Sequence, residues 1–290
     1  MGRADNVQKE FMSSNERFAD VFNYYLYNGR RVIKPEELTE RRISEIVLPK
    51  DKAGQVYPAE RLRDMLKGCV VRRGQEAIYL LLGLENYDEI HYAMPVKHML
   101  YDAMNYASQV SHRARQHRHR KDTHTSAEFL SGFTKEDKLL PVVTLAIYWG
   151  DEAFDAPRSL HEMFETKNRR LLKYVDDYHL HLVIPQEIHD FTRFRSDLGK
   201  ILGLVKMAGD KETLRQLVYA DESYFANLDA ETAALLQVCF NVKIKDKGGK
   251  RNMCKAIDDI FQEGIERGIE QGIERGIDRG QKKAKRRWVV

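Results

Sequence analysis

Apolar residues gather along this chain in two kinds of run, and each kind predicts an element. Residues 1 to about 15 are polar and predict a frayed start. Phe18 to Tyr27 (FADVFNYYLY) carries apolar side chains at helical spacing, and Asn28-Gly29 ends that helix. Val32 to Leu38 contains Pro35 and predicts an extended connection. Ile43 to Leu48 (ISEIVL) predicts a short strand, and Asp51 to Tyr57 a turn-rich loop. Leu62 to Arg72 then reads as a strand, followed by a tight turn near Arg73-Gly74. Glu76 to Leu84 (EAIYLLLGL) is almost continuously apolar, as a central strand covered on both faces should be. The two runs together predict a β-hairpin.

Met94 to about His117 is helical in period, with Pro95 in the first turn, where proline is tolerated. Leu140 to Trp149 (LPVVTLAIYW) predicts a second buried strand and Leu180 to Ile184 a third, ended by Pro185. From Phe191 the pattern is helical, over Asp197 to Ala208, Lys211 to Leu217 and Ala230 to Val242. Lys243 to Lys250 (KIKDKGGK) reads as a linker. A repeat follows: GIER, GIEQ, GIER and GIDR run from Gly264 to Arg279. The order helix, hairpin, helix, strand, strand predicts an α/β fold with a mixed β-sheet flanked by helices, plus a helical C-terminal extension. Residues 1–190 form the expected core, 191–243 a helical region packed on or following it, and 244–290 the linker and repeat tail.

Composition adds limits. Hydrophobic residues are 42% of the chain, enough for a core, and charged residues 32%. The net charge of +4 is too small to argue nucleic-acid binding alone, so the distribution of charge must carry that argument. Cys69, Cys239 and Cys254 are odd in number and form no CxxC, which argues for buried thiols over a disulfide framework or zinc ribbon. The N-terminus lacks an apolar signal region, and no run approaches the roughly 20 apolar residues of a membrane span. The expectation is a soluble, cytoplasmic protein with no membrane partner.

Chemistry concentrates in the hairpin. Asp64 sits early in its first strand and Glu85 at the end of its second. Neighbouring strands lie about 5 Å apart, so the two carboxylates can share a divalent cation. Mg²⁺ retains several waters, and two carboxylates plus a carbonyl suffice for it. Such an ion polarises a phosphodiester and makes hydroxide from bound water. The bland alternative is a pair of solvated strand-end acids.

Basic residues are densest from His112 to Lys121 (HRARQHRHRK). Arg113, Arg115, Arg118, Arg120 and Lys121 there either contact DNA phosphates or lie in a solvated loop. Its histidines, at 112, 117 and 119, lack the i,i+4 spacing of a metal pair. His179 and His181, beside Asp176 and Asp177, read as one face of a strand, with a second metal site as the alternative. In the tail, a four-residue period drifts about 40° per repeat around a helix. Each glycine costs about 1 kcal/mol against alanine. Pairing with another helix would stabilise it, making a homo-oligomer contact one reading and a flexible charged extension the other. The closing KKAKRRW is a further basic patch.

The segment RLRDMLKGCVVRRGQEAIYLLLGLENYDEIHYAMPVKHMLYDAMNY resembles the core of the PD-(D/E)XK nuclease superfamily. More narrowly, it resembles the Rpn family of recombination-promoting, transposase-like nucleases. FNYYLYNGRRVIKPEEL, FLSGFTKEDKLLPVVTLAIYWG, SLHEMF and the Gly-Ile-Glu tail are similar to that family too. The resemblance implies a DNA endonuclease dependent on Mg²⁺ or Mn²⁺ that hydrolyses phosphodiesters in recombination, mobile-element-like processes or defence. It implies Asp64 and Glu85 as metal ligands, with the carbonyl of Asn86 beside them. Some superfamily members use a further acid on the first helix, which falls on Asp20. A helix-start Asp is otherwise a cap or dipole partner. The family places Gln, and the superfamily Lys, two residues after the glutamate, where this chain has Tyr87. A tyrosine hydroxyl donates a hydrogen bond but is uncharged at neutral pH. Lys97, one turn into the next helix, is the candidate for the missing cation. Two readings stand: an endonuclease using Asp64, Glu85, Tyr87 and Lys97, or a DNA-binding or protein-interaction module on the same fold that does not cut.

Overall fold

The computed structural model describes residues 3–41, 64–73, 76–262 and, within the tail, 269–271, 273–275 and 277. The expected strand Ile43 to Leu48, the loop Asp51 to Tyr57, Gly74 of the hairpin turn and the basic KKAKRRW end lie outside the described residues. The chain divides into two compact units, residues 1–206 and 207–290.

In the first unit the elements are α1 (Arg3–Ser13), α2 (Asn15–Tyr27), β1 (Leu38–Glu40), β2 (Met65–Arg73), β3 (Glu76–Tyr87) and α3 (Met94–Arg120). There follow α4 (Ser126–Ser131), β4 (Val142–Tyr148), α5 (Arg169–Leu172), β5 (His181–Val183) and α6 (Leu198–Lys206). The fold is α/β, with an open five-stranded sheet in the order β1-β2-β3-β4-β5. β1, β2 and β3 pair antiparallel, whereas β3, β4 and β5 pair parallel, so the sheet is mixed. A parallel neighbour needs a crossover, and α3 supplies the one between β3 and β4.

The apolar run of β3 occupies the centre of the sheet as its pattern predicts, and Leu81, Leu82 and Leu84 are buried. Its first half differs, since Ile78 and Tyr79 are exposed. α3 buries Met94, Pro95, His98, Tyr101, Met104 and Asn105, a stripe at helical spacing. Beyond Asn105 it buries nothing.

Three differences from expectation have physical reasons. The N-terminus forms α1 because Phe11 and Met12 are fully buried, and Phe11 meets the Trp149 ring edge-on at 6.2 Å. The break expected near residue 190 falls instead after α6. Arg17 of α2 makes a paired salt bridge to Asp197, at 2.9 and 2.8 Å, and Asp20 accepts the backbone N–H groups of Arg195 and Ser196. The turn into α6 is thereby tied to the first unit. No element was expected between about His117 and Leu140, yet α4 forms there, fixed by a capping box between Thr125 and Glu128.

The second unit holds α7 (Lys211–Ala220), α8 (Glu222–Phe225) and α9 (Ala230–Phe240). Asp210 and Asp229 cap α7 and α9. The expected linker Lys243 to Lys250 folds in part as a hairpin, β6 (Asp246–Lys247) with β7 (Lys250–Arg251). Gly248 and Gly249 sit at φ 64° and 85° between them, a conformation that glycine adopts freely. The described tail residues are helical, and Ile269, Ile273 and Ile277 are more than half exposed. Among the described residues no helix is long and apolar enough to cross a membrane. Cys69 and Cys254 are buried thiols, and burial pushes Cys69 up to about 11.

One charge is unusually deep. Lys67 of β2 is 1% exposed, and its ammonium reaches the Ser13 carbonyl and Asn15 Oδ1, both at 2.7 Å, with Glu40 at 2.9 Å. It also lies 4.9 Å from the Phe18 ring centre. This one side chain joins β1, β2 and the α1–α2 corner. Lys67→Met keeps the volume and strands the acceptors, so urea denaturation followed by Trp149 fluorescence should show a loss of about 1–3 kcal/mol. Glu40→Gln removes only the exposed partner and should cost under about 1 kcal/mol.

Candidate active site and nucleic-acid interface

Strand alternation separates Glu85 and Tyr87 from Asn86. The first two face α3, and Asn86 faces Trp149 and α1. Met65 pairs with Leu84, so Asp64, one step further out, stands across from Glu85. The Asp64 N–H donates to Glu85 Oε1 at 3.1 Å. The Asp64 carboxylate accepts from the Asn86 backbone at 2.8 Å and from its side-chain amide at 3.3 Å. Asn86 Oδ1 accepts from the Trp149 indole at 2.9 Å, which holds the amide in place. Glu85 is 3% exposed, and its Oε2 lies 3.6 Å from the Lys97 ammonium.

The structure therefore brings Asp64, Glu85, Asn86 and Lys97 together. Tyr87 contributes differently from expectation. Its hydroxyl pairs with the buried ring of His98, at 3.1 Å from Nε2. Its ring lies 4.8 Å from the Lys97 ammonium, with the Tyr101 ring centre at 5.5 Å. Tyr87 thus seats a cation from the neighbouring helix on its ring.

Burial raises the Asp64 carboxyl above its ordinary range, against the Asn86 hydrogen bonds and the charges of Lys9 and Lys97. Lys9 had no signal in the sequence, where it is one polar residue in a stretch expected to fray. α1 also brings Gln8, fully buried, whose amide donates to Asp88 just past β3. Asp20 does not join the pair as a third acidic ligand. It is 4% exposed, and Arg195 and Ser196 occupy its carboxylate. Among the described residues no three His, Cys, Asp or Glu side chains gather as a metal-holding group.

The basic cluster is helical to Arg120, with Arg113, Arg115, Arg118, Arg120 and Lys121 all exposed. Its anchor is His117, whose Nδ1 lies 2.7 Å from Asp122 and Nε2 2.8 Å from Asp137. Both nitrogens donate at once only in the imidazolium, and these bonds push its pKa up. Elsewhere, His181 meets the Tyr25 hydroxyl at 3.2 Å, and His179 lies 3.4 Å from Asp177, which also takes the His161 N–H.

The chain matches no family model, no curated protein and no solved structure.

The raised Asp64 value has a definite sign. A folded-state pKa above the unfolded one favours the neutral form, so its stabilising effect is present at low pH and lost as pH rises through the folded value. At neutral pH the Asp64 charge is a cost to the fold. Asp64→Asn, which can still accept from the Asn86 N–H, should melt above the wild type in EDTA at neutral pH. Differential scanning calorimetry should show that gain shrinking toward acid pH.

Proposed function

We propose that this protein is a metal-dependent DNA endonuclease of the PD-(D/E)XK type, recombination-promoting and transposase-like, as its sequence resemblance implies. One observation supports this most: two carboxylates on adjacent strands, Glu85 buried and Asp64 half-buried, with a lysine on Glu85. Asp64 and Glu85, with the Asn86 carbonyl, are a hard oxygen set of the kind Mg²⁺ or Mn²⁺ takes. Burial raises the Asp64 carboxyl, and a bound cation would offset that cost. Such a cation, when bound, polarises the phosphodiester and makes hydroxide available from water. Lys97, seated over Tyr87 and against Glu85, presents an ammonium where negative charge develops on the scissile phosphate. Trp149 and Asn86 keep Asp64 aimed. The exposed basic residues from Arg113 to Lys121 hold DNA phosphates without reading sequence.

A second reading is an inert DNA-binding module on the same fold. The Tyr87 hydroxyl, given to His98 where the family has Gln or Lys, favours it. Plasmid DNA with Mg²⁺ or Mn²⁺ decides between the two. Cleavage should appear, fall below detection in Asp64→Ala and Glu85→Ala, and drop about 10²–10³-fold in Lys97→Ala. Tyr87→Phe should keep most of it. Binding that persists in EDTA with no cleavage under either metal selects the inert module, and Tyr87→Gln then tests whether the tyrosine is the lesion.

The tail serves self-association in this reading. Ile269, Ile273 and Ile277 recur every fourth residue and stand exposed, so a second copy of the helix would cover them. Truncation after Asp259 should give a smaller assembly by analytical ultracentrifugation, and an unchanged mass removes this role.

A further inference from the structure

α4 is rigidly built, yet it buries none of its side chains. Thr125 and Glu128 close a capping box at its start, and Ser131 Oγ donates to the Ala127 and Phe133 carbonyls at its end. Gly132, at φ 65°, seats that end on α3 so tightly that a Cβ there would stand 2.5 Å from the Ala114 Cβ. His117, held by Asp122 and Asp137, pins the chain on both sides of the helix. What this framework presents is Phe129 and Leu130, which are 81% and 89% exposed. Two large adjacent apolar side chains held in water gain nothing for the free chain, so their use lies in a partner.

They do not stand alone. Phe129 and Leu130 form one side of a cleft of about 400 Å³, and Arg118 and Lys121 are on its lining too. That volume is within the range of small-ligand pockets, about 300–1,000 Å³. One part of the lining suits a flat apolar face and another suits an anion. Duplex DNA offers phosphates on its outside but keeps its base faces stacked within. Of the forms of DNA, an unpaired nucleotide offers both together.

We propose that this cleft binds an unpaired nucleotide of a DNA strand. The base stacks on Phe129 beside Leu130, and the flanking phosphates meet Arg118 and Lys121. The inference rests on the DNA-binding reading above and sharpens it: the substrate class is DNA with a single-stranded tract or an opened step. The α3–α4 arm is then a reader of unpaired strand joined to the site at the sheet.

Fluorescence anisotropy on the full chain in EDTA, with cleavage silent, tests this. The probes are a short labelled single strand, its blunt duplex, and the same strand lacking bases. The single strand should bind tighter than both others. Phe129→Ala should weaken single-strand binding about tenfold and leave duplex binding as it was. Arg118→Ala and Lys121→Ala should each lower the salt slope by about 0.7. In Phe129→Trp the affinity should return, with indole fluorescence quenched by the normal strand and not by the baseless one. Equal affinity for the normal and baseless strands, or an unaltered Phe129→Ala, overturns the proposal. So does Phe129→Trp that responds to anionic phosphatidylglycerol vesicles and not to bases. Plasmid cleavage scores the endonuclease reading separately: base-dependent binding without cleavage keeps this proposal and removes that reading, and cleavage with no base dependence does the reverse.

Discussion

In an antiparallel pair, a slip of one residue turns every side chain to the opposite face. β2 and β3 run in one register from Met65 with Leu84 to Arg73 with Glu76. That register sets Asp64 against Glu85 and turns Glu85 and Tyr87 toward α3. It also leaves Asn86 on the far face, where the Trp149 indole holds it. Lys67, on the same strand, ties the pair to α1 and α2 through Ser13 and Asn15. The ladder places the two carboxylates, and the buried lysine ties that strand pair to the corner between α1, which carries Lys9, and α2.

The pattern of apolar residues revealed the sheet well. β3, β4, β5 and α3 follow from their runs because a central strand and a half-buried helix leave strong periodic signals. Elements whose order comes from a few contacts were hidden. α1 depends on Phe11 and Met12 meeting Trp149, a residue far along the chain. α4 depends on a capping box and on His117 between two carboxylates, and its apolar side chains bury nothing. The β6–β7 hairpin was masked by its lysines, although Gly248-Gly249 was a turn signal.

In the site, the nearness of Asp64 to Glu85 across the hairpin was readable from strand spacing; that the Asp64 N–H meets Glu85 while its carboxylate takes Asn86 was not. Tyr87 was visible as a departure, but its consequence was not. Only geometry gives the Tyr87 hydroxyl to His98 and its ring to Lys97. A cation from the next helix, Lys97, stands over that ring, 4.8 Å from its centre. Asp20 shows the opposite case. An acid at a helical position that fits a ligand role is instead the tie that holds the start of α6.

α3 is a single helix whose first turns belong to the core and whose last turns carry the basic arm. Lys97 and Arg118 sit on this one rod, and the rise of a helix puts them about 30 Å apart along its axis. On a duplex that separation corresponds to about nine base pairs at 3.4 Å each. No hinge intervenes among the residues between them, so the distance is a property of backbone geometry. The helix is a ruler: whatever is held at its far end lies a set length from the carboxylates, fixed by the backbone alone.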